Sequence, residues 1–269
     1  MLGAAVFNIG YTGGYNCPGP FGDGGASPDR MVTQVSGRGG PGSFGPLVQT
    51  LYKARRTAIA RMSAECAELG GHGVVGVRLT IGGFPQGGLE FRAIGTAVRA
   101  PGARRLRRPF TCDLSGQDFT KLISTGWVPV GLVLGISVGV RHDDRLTRGQ
   151  TWWNAGNAEV LGYTELVNDV RRDARSQLHL DVQRLGAEGV VIADMSLQIR
   201  ERGCPVREVG QRDHIAEATI IGTAIARFSR AARRQGASSL PILSLALRIH
   251  AAFELSGAAA IESAPDLGR

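Results

Sequence analysis

The sequence predicts an α+β fold built twice over, on three observations. A helical apolar stripe is followed by alternating strands, that succession occurs twice, and the two occurrences share residues at a nearly constant offset. Leu69-Gly70 returns as Leu185-Gly186 and Gly73-Val74-Val75 as Gly189-Val190-Val191, 116 residues on. The same offset pairs Arg55, Arg56 and Ala58 with Arg171, Arg172 and Ala174. IGTAV at Ile94–Val98 returns as IGTAI at Ile221–Ile225, 127 residues on, so the second copy carries 11 further residues. Self-similarity of this kind marks a repeated supersecondary unit. The added residues fall in the polar stretch Arg200–Asp213, where they enlarge a hairpin loop.

In the first copy, Leu2-Gly3 matches Leu134-Gly135, so the chain opens inside a strand that the second copy has in full. Asn16–Pro46 is Gly/Pro-rich and reads as a loop. Leu51, Ala58, Met62, Cys66 and Leu69 share a helical face, and Gly70 suits the position just past a helix end. Val75, Val77, Leu79 and Ile81 then alternate with Val74, Gly76, Arg78 and Thr80, which is strand periodicity. Phe91–Val98 is the next strand. Arg99–Pro109 is an Arg/Pro-rich linker.

The second copy has a short helix first. Ser115 is its N-cap, Asp118 completes a capping box, Phe119, Leu122 and Ile123 are its apolar face, and Gly126 stops it. Trp127–Val140 is a long strand. Val167, Val170, Ala174, Leu178, Val182 and Leu185 form the second stripe, closed by Gly186. Val191, Ala193, Met195 and Leu197 alternate, and Ala218–Phe228 is the last strand. The predicted units are thus 1–99, a linker at 100–109, 110–228, and a tail at 229–269. The tail's apolar stretch Leu240–Leu255 is compatible with a docked helix or a loose end.

The chain has 269 residues, 43% hydrophobic and 20% charged, which excludes wholesale disorder. The apolar run Trp127–Val140 is too short and Gly-rich to span a membrane, and no basic-then-apolar leader opens the chain. A cytoplasmic protein is expected. Lys+Arg total 31 against 23 Asp+Glu, a net charge of +8, and only Lys53 and Lys121 are lysines. Such a balance suits a polyanion partner or an ordinary solvated surface. Aromatics at 6% leave few platforms for stacking nucleic-acid bases. Cys17, Cys66, Cys112 and Cys204 form no CxxC pair, which argues for isolated, reduced thiols.

DLSGQDFTKLISTGWVPVGLVLGISVG, the helix ending in LGAEGVVIADM, and IIGTAIARF together resemble the YbjQ family of bacterial and archaeal proteins, which is labelled heavy-metal-binding. The resemblance covers both copies, to about Arg99 and from about Phe110 to Phe228, with the first front-truncated and carrying a long loop. It implies a dodecin-like subunit in which an antiparallel sheet packs on a long helix. It also implies ring-like homo-oligomers with cyclic symmetry, typically pentamers, and a divalent or heavy-metal ion as the cofactor to look for. A chain with two such copies is expected to form two stacked or paired rings.

Two sets of side chains could ligate such an ion. His142, Asp143 and Asp144 come directly after the long strand, an imidazole and two carboxylates where a strand leaves its sheet. The same residues make an ordinary polar turn. Cys204 and His214 flank the enlarged loop, but two ligands fall short of the usual three or four. Cys66 lies on the apolar stripe opposite Val182 in the repeat and reads as a core thiol. His72 matches Glu188, a polar slot expected to be exposed. His179 and Asp181 do not face each other on a helix. Arg104, Arg105, Arg107 and Arg108 in the linker are the residues a polyanion, nucleic acid included, would meet. No nucleophile elbow, phosphate loop, metalloprotease motif or dinucleotide fingerprint occurs. A non-enzymatic, oligomeric, ligand- or metal-binding protein is expected, with polyanion binding as the alternative.

Overall fold

The two apolar stripes fold as helices of identical length, Gly45–Glu68 and Leu161–Arg184, 24 residues each and placed 116 residues apart. Both end in the same motif. Gly70 and Gly186 take positive φ, 75° and 63°, and the next amide reaches back to the helix: Gly71 N–H to the Cys66 carbonyl at 2.8 Å, Ala187 N–H to Val182 at 3.3 Å. Glycine tolerates that left-handed turn without a Cβ clash.

The computed structural model describes residues 1–9, 33–36, 44–101, 106, 108–152, 156–203, 212–227 and 242–244. In chain order its elements are β1 Leu2–Asn8, β2 Gln34–Val35, α1 Gly45–Glu68, β3 Gly73–Phe84, β4 Gly88–Val98, β5 Phe110–Thr111, α2 Gly116–Ser124, β6 Trp127–His142, α3 Arg145–Thr151, α4 Leu161–Arg184, β7 Gly189–Gly203, β8 Arg212–Arg227 and β9 Ile242–Ser244. The fold is α+β. The first sheet has the order β1-β4-β3-β5 and the second β2-β6-β8-β7-β9.

Register repeats with composition. Leu2 pairs with Ile94 as Leu134 pairs with Ile221, both antiparallel. Each sheet also gains a parallel edge strand from the chain segment C-terminal to it. β5 runs parallel to β3, with Thr111 beside Val74, and β9 runs parallel to β7, with Ile242 beside Val190. Phe110–Leu114, expected to open the second unit, therefore hydrogen-bonds into the first sheet: Cys112 N–H to Val74 O at 2.9 Å and Gly76 N–H to Leu114 O at 2.8 Å.

α1 packs between the two sheets. One side meets Ala5, Phe91, Ala93, Val74 and Val77 of the first sheet, and the other meets Ile136, Val138 and Val140 of β6. α4 covers the opposite face of the second sheet, with Leu166, Val170, Ala174, Leu178 and Val182 against Val133, Ala218 and Ile220. A smaller cluster joins the halves through Val75, Cys112, Leu114, Leu122, Val191 and Ile225.

The structure corrects several sequence expectations. Val75 and Val77 do not share a face. Gly76 has φ 63° and the β3–β4 register shifts between Val75 and Arg78, so Val77 joins the α1 core while Val75 packs against the second half. A like shift between Ile192 and Asp194 separates Val191 from Leu197. His72 is 7% exposed rather than solvated, because the chain after β4 folds back and Ala100 N–H donates to its Nδ1 at 3.0 Å. The loop expected over Asn16–Pro46 ends sooner: α1 starts at Gly45, and β2 pairs Gln34 with Val140. Most of that loop, and the tail apart from Ile242–Ser244, lie outside the described residues. Among the described residues, no helix is long and apolar enough to cross a membrane.

Candidate functional site

The richest concentration of polar chemistry lies where β6 leaves the second sheet. Antiparallel pairing of β6 and β8 sets Arg141 opposite His214 and His142 opposite Asp213. Adjacent strand residues point to opposite faces, so this end of the β6–β8 pair is divided between two environments. Gly162, at the start of α4, closes the site from one side. A Cβ there would lie 2.7 Å from Arg141 Nε and overlap Thr147, so only glycine lets the helix start this close.

His142, Asp143 and Asp144 turn to three different partners. His142 pairs through Nδ1 with Asp213 Oδ1, and both side chains are buried. Asp144 is the N-cap of α3: Oδ1 accepts from Thr147 N–H at 2.6 Å and Oδ2 from Arg141 at 3.0 Å. Arg141 also donates to Glu165 at 2.8 Å. Asp143 joins a third group. Its Oδ1 accepts from the Tyr163 hydroxyl at 3.2 Å, and His214 Nε2 lies 2.9 Å from both oxygens. The Tyr163 and His214 rings stack obliquely at 4.4 Å, and Glu201 stands 3.9 Å from His214 Nδ1. Burial, reinforced by the Asp143 carboxylate, pushes the Tyr163 phenol up to about 12, so it remains a donor at neutral pH.

The three adjacent polar residues are therefore not one ligand set. Among the described residues, no three His, Cys, Asp or Glu side chains converge as a metal site would require. The donors are engaged by cap, cation and cross-strand partners, and this arrangement does not fit a bound metal. His214 lies in the site, and Cys204 lies outside the described residues. Sequence reasoning missed Arg141, Tyr163, Asp213 and Glu201. A signal was present: His-Asp at 142–143 faces Asp-His at 213–214, but only the strand register shows that these dipeptides meet.

Cys66, His179 and Asp181 have structural partners. Cys66 is fully buried, its Sγ donates to Gly73 O at 3.5 Å, and burial raises its thiol pKa. His179 contacts Gln183, while Asp181 accepts from Arg56 and from Leu134 N–H. Of the linker arginines, Arg108 is exposed, and Arg104, Arg105 and Arg107 lie outside the described residues. A groove of about 930 Å³ opens between α1 and α4, lined by Tyr52, Lys53, Arg56, Arg61, Asp181 and Arg184 among others.

Comparison with known proteins places this architecture. A UPF0145 protein of Halorubrum lacusprofundi is 36% identical over 87 residues, which cover 29% of this chain and 82% of that protein. A family model for YbjQ, described as "Putative heavy-metal-binding", matches residues 31–101. The chain belongs to the YbjQ (UPF0145) family. A UPF0145 protein of Thermus thermophilus is 40% identical to this YbjQ-family chain over 65 residues, 24% of this chain and 57% of that one. An encapsulin nanocompartment protein of Mycobacterium tuberculosis is 39% identical over 177 residues, 62% of this chain. The match spans 66% of that protein's own length, just under two thirds. No solved structure matches the chain.

Proposed function

We propose that this YbjQ-family chain is a tandem pair of YbjQ units that assembles, without catalysing a reaction, into a cyclic homo-oligomer holding a small ligand or heavy-metal ion. The observation that carries the reading is an apolar face left open on the first sheet. Leu2 and its cross-strand partner Ile94 are 55% and 48% exposed, and Val6, further along the same face of β1, is 48% exposed. Large apolar side chains exposed together on one sheet face suit an association surface. The relative named for an encapsulin nanocompartment supports assembly, and the ring-like oligomers that the family resemblance implies favour five chains. The duplicate helices and registers support two copies of one unit. Two buried free thiols, Cys66 and Cys112, suit the reducing cytoplasm where we place the protein.

For the ligand, the geometry favours the groove between α1 and α4 over the β6 exit. Its cations Lys53, Arg56, Arg61 and Arg184 outnumber Asp181, which suits an anionic small molecule. The deciding experiment is native mass spectrometry of the purified protein with elemental analysis of the same sample. An oligomer with a stoichiometric ion or small molecule is expected. A monomer at micromolar concentration would remove the assembly reading, and an oligomer empty of both would remove the ligand reading.

A further inference from the structure

The same face has opposite fates in the two sheets. On β6 and β8 it is formed by Leu134, Val138 and Ile221, counterparts of Leu2, Val6 and Ile94 by register. Leu134 and Val138 are each only 2% exposed, because α1 lies over β6. Three contacts fasten that helix. The Tyr52 hydroxyl bridges the β6 edge, 3.3 Å from Leu134 O and 2.8 Å from Ile136 N. Arg55 stands 3.9 Å from Glu217. Arg56 meets Asp181 at 2.6 Å, and Asp181 in turn accepts from Leu134 N–H.

Among the described residues, every part of this contact has a counterpart that makes no such contact. On α4 the counterparts of Tyr52, Arg55 and Arg56 are Asn168, Arg171 and Arg172. On the first sheet Glu90 stands where Glu217 does. Glu65 stands where Asp181 does and accepts from Leu2 N–H at 2.7 Å, as Asp181 does from Leu134. Asn168 and Arg172 are exposed, and Arg171 Nε is shielded with no hydrogen-bond partner among the described residues. Among the described residues, Glu90 has Arg92 at 3.6 Å and Arg172 has Asp169 at 2.9 Å, two pairs that the contact would displace or share.

We propose that α4 of a second copy of this chain covers the outer face of the first sheet, Arg171 toward Glu90 and Arg172 toward Glu65. The contact inside the chain is then repeated between chains. This deepens the oligomer reading and rests on it. Such a head-to-tail contact uses two different surfaces, each once per chain, and gives a ring when its rotation closes and a filament when it does not; the cyclic oligomer proposed above is the closed case. Halves alternate around that ring rather than sorting into two stacked ones.

Charge exchange tests it. By light scattering and sedimentation, Arg171→Glu and Glu90→Arg should each weaken assembly at least tenfold with unchanged circular dichroism, and the double variant should recover it. Unchanged assembly in both single variants would overturn this interface while leaving the oligomer intact. A monomeric wild type would overturn the oligomer reading as well. If a variant fails to fold, cysteine pairing decides instead. Mixed Ala4→Cys and Asn168→Cys chains should yield an interchain disulfide absent from either alone. Its absence, as when the chain's own tail covers the face, overturns the proposal.

Discussion

Gly135 on β6 lies so close to Ala174 on α4 that a Cβ on the glycine would overlap the alanine's carbonyl oxygen. Gly3 stands against Ala58 of α1 in the same way. Close approach of strand and helix backbones, not a positive φ, requires glycine at both places. Gly135→Ala should lower stability by about 1–3 kcal/mol, the usual cost of overpacking a filled site, and Gly3→Ala should do the same. Equilibrium unfolding in urea measures both. Full stability in either variant would mean that the helix can move off its sheet at little cost.

Tyr52→Phe tests the contact between the halves. The variant keeps the ring and deletes the hydroxyl that accepts from Ile136 N–H at the β6 edge. A buried amide left unsatisfied costs about 1–3 kcal/mol, and loss on that scale is expected in thermal and chemical unfolding. Hydrogen exchange should quicken at Ile136 before other β6 amides.

Asp113 gives the fold a pH dependence of known sign. Burial raises its carboxyl pKa, despite the hydrogen bond from Thr223, and Asp194 adds to the rise. A carboxyl with a raised native pKa binds its proton more tightly folded than unfolded. Stability should therefore fall as pH climbs from the ordinary aspartate range through the raised value, and stay lowered above it. Asp113→Asn should flatten that decline and be the more stable chain at pH 7. Midpoints of urea unfolding from pH 3 to 8 check it, and parallel curves for the two proteins would refute it.

The buried thiols should be inert. Burial pushes Cys112 up to about 11, and Cys66 is raised for the same reason. Native protein at pH 7.5 should leave both unlabelled by iodoacetamide in peptide mass mapping, while urea-unfolded protein should label them. Labelling of folded Cys112 faster than global unfolding would show that the cluster joining the halves opens locally.

Much of the local structure was legible. The Leu-Gly pairs at 69–70 and 185–186 marked both helix ends, and Ser115 with Asp118 marked an N-cap whose hydroxyl accepts Asp118 N–H at 3.2 Å. Strand exit at His142 was read two residues short, because the imidazole and the arginine before it looked like turn residues. They continue the ladder because each finds a cross-strand or helical partner. The candidate site was legible only in part. His142, Asp143, Asp144 and His214 were all singled out, but the partners that divide them, Arg141, Tyr163 and Asp213, come from elements far apart in sequence.

The sequence alone determined the features that the spacing of neighbours encodes: two equal helices, the glycines that end them, the strands after them and the offset that relates them. Caps and periodicities act within a few residues, so they survive being read one window at a time. The tertiary structure decided which faces were buried. A single left-handed glycine at position 76 sends Val75 to the other side of its sheet from Val77, and alternation alone could not foresee that. α1 carries apolar and basic residues enough to serve two sheets, but only their arrival on either side of it shows that it does. Leu134 is buried and Leu2 is not, although the two hold the same register, because α1 lies over β6 within the chain while nothing among the described residues closes over Leu2. Burial is a property of the elements that arrive from elsewhere, and a strand carries no mark of it beyond the apolar side chain it offers.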